Sequence, residues 1–162
     1  MKIVSNAGPL IAMAKIERLE VLRGVFGRVY IPQAVYHEVV VKGTGRVGAD
    51  DVQQAGGDWL DIVPVQNVSV SRSLSAKLGP GEAEAIALAL EMSAALILLD
   101  DRQARAAAEF LGLKVSGTVG VLIQAYRAGL GPDLPQSLER LRARGFRLTD
   151  EVLAEAARKA DL

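Results

Sequence analysis

Ala94-Ala95-Leu96-Ile97-Leu98-Leu99-Asp100-Asp101 is the stretch from which the architecture unfolds. Ala94 to Leu99 is an uninterrupted apolar run, and it has the length of a strand. Continuous apolarity, without polar alternation, marks a strand covered on both faces, as in the middle of a parallel sheet. Upstream, Gly79-Pro80-Gly81 leads into a helical pattern over 82–92, with Ala85, Ile86, Ala89 and Leu90 turned inward. Downstream, residues 102–111 repeat with helical spacing and stop at Gly112. The unit is therefore helix, buried strand, helix.

Working outward, the same alternation recurs. Residues 2–5 read as a first buried strand, and Pro9 opens a helix over 10–15. A helix over 17–25 presents Leu19, Leu22 and Phe26 on one face. Residues 28–31 form a second strand, and Pro32 opens a helix from Gln33 to about Val41. A glycine-rich loop spans 42–50, a short helix 51–56, and a third strand 60–63. Residues 71–78 are polar and without clear period. Lys114 to Ser116 is a fifth strand, followed by helices over 119–128, 134–143 and 150–159. Strands alternating with helices predict an α/β fold: a central five-stranded, mainly parallel sheet between helical layers. The expected division is a domain over 1–130 and a C-terminal helical extension, 131–162, packed on it. The alanine- and leucine-rich late helices lead us to expect a homodimer with two-fold symmetry.

Composition narrows the chemistry. The 162 residues carry 19 basic and 19 acidic side chains, a formal net charge of zero, so no strongly basic coat is present. Half of the residues are hydrophobic, which argues against disorder. Without cysteine there is no disulfide, thiolate zinc site or Cys nucleophile, and His37 is the only imidazole. No apolar run is long enough for a signal peptide or membrane anchor, so a cytoplasmic location is expected.

Gly43-Thr44-Gly45-Arg46-Val47-Gly48 matches a dinucleotide fingerprint, but no strand precedes it, and Asp61, 18 residues after Gly43, opens a strand instead of ending one. It reads as a loop. The acids carry more. Functional side chains of a parallel sheet gather at the carboxyl ends of its strands. Asn6 follows the first strand, and Asp100 and Asp101 follow the fourth; Glu38 lies in the helix after the second, while Glu82 and Glu84 open the helix leading into the fourth. Oxygen ligands without imidazole or thiolate suit Mg²⁺ or Mn²⁺. Each acid alone is equally well explained as a helix cap or a solvated face; only their joint placement points to a site. A phosphoacceptor domain is disfavoured, since Asn6 stands where an acid pair would be needed.

Four segments carry a family resemblance: Val4-Ser5-Asn6-Ala7-Gly8-Pro9-Leu10-Ile11, Tyr30-Ile31-Pro32-Gln33-Ala34-Val35-Tyr36-His37-Glu38, residues 78–89 from Leu78-Gly79-Pro80-Gly81-Glu82, and Leu98-Leu99-Asp100-Asp101-Arg102-Gln103-Ala104-Arg105. In this order they resemble the PIN-domain superfamily, in particular its prokaryotic DUF3368-type branch. Gly145-Phe146-Arg147-Leu148 resembles that branch's C-terminal part. The resemblance implies a compact α/β fold and a Mg²⁺- or Mn²⁺-dependent endoribonuclease acting on RNA, single-stranded by expectation, often the toxin of a pair with a small antitoxin protein. It assigns catalytic acids to Glu38, Glu82 and Asp100, and metal contacts to these with Asn6, Glu84 and Asp101. Asn6 replaces the aspartate usual after the first strand. An amide oxygen ligates but brings no charge, so weaker metal binding is expected, and a non-cleaving RNA- or protein-binding module is the alternative. Arg102, Arg105 and Lys15 are candidates for phosphate contacts near the site.

Overall fold

Five parallel strands form one sheet in the order β3-β2-β1-β4-β5 in the computed structural model, which describes residues 1–131 and 133–161. The strands are β1 (Ile3–Ser5), β2 (Val29–Pro32), β3 (Leu60–Val63), β4 (Leu96–Leu98) and β5 (Val115–Ser116). β1 is central as expected, with Val4 opposite both Tyr30 of β2 and Ile97 of β4. The order reverses between β1 and β4. In such doubly wound sheets the connections on either side of that point leave in opposite directions and open a crevice at the strands' carboxyl ends.

Successive side chains of a strand point to opposite faces, and the core divides accordingly. Ile3 and Leu98 enter one apolar cluster with Leu10, Met13, Leu22 and Val121. Val4, Ile97 and Leu99 enter the other with Ile86, Ala89, Ala104 and Ala108. The first layer holds α1 (Ala7–Lys15), α2 (Glu20–Phe26), α8 (Thr118–Arg127) and α9 (Leu134–Ala143). The second holds α6 (Pro80–Glu91) and α7 (Arg102–Phe110). α3 (Gln33–Tyr36) runs into a π-helical turn, His37–Val41, and α4 (Ala49–Ala55) follows. α10 (Asp150–Lys159) packs on α8, and Arg140 of α9 donates to the carbonyl of Ile16 at 3.4 Å.

Two readings of the sequence change. α1 starts at Ala7, not beyond Pro9: proline in the first turn lacks only an N–H that would have no helical partner there. The polar segment after β3 contains a helix, α5 (Val68–Leu74), capped by Asn67, whose Oδ1 accepts from Val70 N at 3.3 Å. None of its residues is buried, so it carries no apolar stripe to reveal it; Glu91 holds its start by accepting from the amides of Gln66 and Asn67. Leu122, Leu134, Leu138 and Leu141 of the late helices are buried within the chain. The glycine-rich segment is a turn leading into α4, without the strand a dinucleotide fingerprint needs. No helix among the described residues is long and apolar enough to cross a membrane.

Candidate metal centre

Asn6 sits at the switch point itself. Its amide continues the ladder between β1 and β4, donating to Leu98 O at 3.0 Å. It also holds the N-cap position of α1 with an extended backbone, where an Asn side chain normally accepts from the first turn. It does not cap. Its Oδ1 is buried and has no hydrogen-bond partner, and the residue is 8% exposed. A buried acceptor left unmade costs on the order of 1–3 kcal/mol, so its direction requires a reason.

That reason lies across Gly81. A Cβ added at Gly81 would stand 3.1 Å from Glu38 Oε1 and 3.4 Å from Asn6 Oδ1. Two acceptors thus converge on one point, which the absence of a side chain at the second position of α6 leaves open. Neither can donate to the other. A carboxylate and an amide oxygen facing each other this way are satisfied by a cation. Glu38 owes its position to the π-helical turn, in which Lys42 N reaches back to His37 O at 2.8 Å. Such a turn adds a residue to the helical repeat and re-aims the side chains beyond it. Val39 and Val40 are both buried by it, leaving Glu38 exposed beside the crevice. The neighbouring His37 is exposed on the surface.

Glu82 and Glu84 separate. Glu82 Oε1 accepts from Gly79 N at 3.1 Å, closing the first turn of α6. Burial pushes the Glu82 carboxyl above its ordinary pKa, the Gly79 N–H pulls it back, and the charges of Asp101 and Glu38 raise it further. Glu84 Oε1 instead accepts from Ala34 N at 3.2 Å, capping α3. The Asp pair separates as well. Asp101 Oδ2 caps α7 by accepting from Ala104 N at 2.9 Å. Asp100 is gripped by Thr118: Oδ1 accepts from the backbone N at 2.8 Å, and Oδ2 from the side-chain hydroxyl. Asp100 Oδ2 also faces Gly8 in the first turn of α1.

Asn6, Glu38 and Glu82 are thus placed around the start of α6, Glu82 beside Asp101, and Asp100 between the starts of α1 and α8. Among the described residues, no three acidic or histidine side chains already stand as close together as metal ligands. The donors that do converge are all oxygen, with one buried and unpartnered, a set that fits a hard cation. Thr118 was missed in the sequence; its only signal is a threonine just beyond the last strand. No curated protein matches the chain. The family described as DUF3368, a PIN domain, matches residues 2–162, nearly the whole length and including the C-terminal helices. With β1 central, the crevice at its end and this match, the chain belongs to the PIN-domain family of the DUF3368 type.

Proposed function

We propose that this PIN domain is a Mg²⁺- or Mn²⁺-dependent endoribonuclease that hydrolyses phosphodiesters of single-stranded RNA. Family membership supports a nuclease-type module in general. The observation that carries the finer reading is the orphaned Asn6 Oδ1 aimed, with Glu38 Oε1, at the open point over Gly81. Asn6, Glu38, Glu82 and the Asp100–Asp101 pair would hold the ion. When bound, it supplies Lewis acidity toward a phosphodiester oxygen and an attacking water.

The chain's own residues divide the work. Asn6 offers a fixed neutral oxygen from the central strand. Glu38 is exposed and free to turn, whereas Asp101, also exposed, is held by its cap of α7. Asp100 is held at both oxygens by Thr118 and keeps its direction. Burial, and then the charges of Asp101 and Glu38, push the Glu82 carboxyl up, and a cation would offset that repulsion. Glu84 serves α3 and is the weakest candidate for a ligand.

The test is cleavage of a labelled RNA with Mn²⁺ or with EDTA, in the parent protein and in Glu38→Ala and Asp100→Ala. Metal-dependent cleavage that falls by roughly 100-fold or more in both variants is expected. Cleavage that persists in EDTA, or in both variants, overturns the reading. A toxin role further expects a small antitoxin protein encoded beside the gene that copurifies and inhibits. The second reading, a module that binds without cutting, is favoured by one residue: Asn6 brings no charge where an acid would. Metal binding without cleavage of any RNA would support it.

A further inference from the structure

Arg105 of α7 is tied at one nitrogen and open at the rest. Its Nη1 donates to Leu99 O, the carbonyl just before Asp100, at 2.9 Å. Among the described residues it forms no ion pair, although Asp100 is its neighbour. A guanidinium has five N–H donors, so most of this one's remain unused.

The position is set by Gly117. A Cβ there would stand 2.6 Å from Asp100 Oδ1 and 2.8 Å from Arg105 Nη1. Only glycine lets a cation and a site carboxylate face one gap with nothing between them. Two grooves meet at this gap, each lined by both Asp100 and Arg105. One, of about 750 Å³, runs between the start of α8 and the C-terminal segment, past Phe146 and Arg147 to Lys159, with Glu151 and Glu155 also in its wall. The other, of about 390 Å³, runs along the exposed side of α7 past Arg102. A polymer crossing the gap has room on both sides of it.

We propose that Arg105 is the phosphate anchor of the site: it receives, through its free N–H groups, a backbone phosphate of an RNA strand that enters along one groove and leaves along the other. The chemistry favours arginine, whose planar fork matches two phosphate oxygens while Leu99 O holds the group in place. Asp100 is the carboxylate nearest the gap, so a phosphate held on Arg105 lies beside the acids. This inference rests on the nuclease reading for the meaning of the anchor, but its test does not need cleavage.

The experiment measures binding of a fluorescent 12-nucleotide single-stranded RNA, and of DNA with the same sequence, in EDTA over a salt series, on the whole chain. Arg105→Met is expected to weaken RNA binding roughly tenfold and to lower the salt slope by about one, the signature of one lost phosphate contact. Arg105→Lys, which keeps the charge but not the fork, should recover the slope and only part of the affinity. Arg23→Met removes the same charge from a residue that lines neither groove and should leave both values near the parent's. An unchanged slope in Arg105→Met, with its melting temperature intact, overturns the anchor. Equal losses in Arg23→Met overturn it too, since net charge alone would then explain them. Equal effects on RNA and DNA support it, because a phosphate contact does not read the sugar. If Arg105-dependent binding persists in a protein that cleaves nothing with Mn²⁺, the nuclease reading fails and the anchor stands.

Discussion

At Asn6 the amide and a carboxylate differ little in size but by a full charge, so Asn6→Asp is a nearly isosteric probe of the site. In EDTA the variant adds a carboxylate beside Glu38, and its melting temperature should fall below the parent's. In MnCl₂ the order should reverse, because the added charge tightens a cation in a partly dehydrated site. Four thermal melts check this, and equal metal-induced shifts in the two proteins would remove Asn6 from the site. Glu82 offers a pH test. Folding raises its pKa, so the folded chain holds this proton more tightly than the unfolded chain. That contribution to stability is present below the ordinary carboxylate range and is lost as pH rises through the raised value. Glu82→Gln carries no such dependence. In EDTA the variant should therefore gain on the parent between about pH 4 and about pH 7. Glu82 is only half-buried, so solvent screening keeps the gain small, roughly 1 °C in Tm. A gain that runs the other way with pH would contradict the upward push of burial and of the Asp101 and Glu38 charges on Glu82.

α6 serves two purposes at the scale of the element. Its first turn sets Gly81 and Glu82 beside the crevice, while Glu84, half a turn on, reaches away to the start of α3. Glu84→Ala leaves the partly buried Ala34 N–H without its acceptor, at a cost of about 1 kcal/mol and a loss of roughly 2–4 °C in Tm. Mn²⁺ affinity by calorimetry should hardly change. A large drop in affinity with little change in stability would return Glu84 to the metal. Sequence spacing alone left Glu82 and Glu84 as competitors because they stand two residues apart at the start of one helix; what separates them is which neighbour lies within reach. The π-helical turn at 37–41 was not legible either. Val35, Val39 and Val40 satisfy an ordinary helical stripe well enough, and only the Lys42-to-His37 bond discloses the extra residue.

For the whole molecule, the apolar runs and their punctuation by Pro and Gly were enough to determine the alternation of strands and helices. Burial on both faces leaves a strand no polar alternation, and a helix on one face of a sheet must show its period. The acids at strand ends and helix starts were visible for the same reason: they sit where those patterns break. The sequence also carried the family pattern from Val4 to Arg105, which the match over residues 2–162 bears out. The helix α5 escaped because none of its residues is fully buried. Tertiary structure alone decided that Asn6 leaves its cap unmade and turns toward Glu38, that Gly81 and Gly117 clear the two gaps, and that Thr118 grips Asp100. Local pattern reports the period and the boundaries of each element, because these depend on neighbours along the chain. Which oxygen faces which, across Asn6, Glu38 and Gly81, depends on three elements meeting at the reversal between β1 and β4, and no spacing along the chain encodes that meeting.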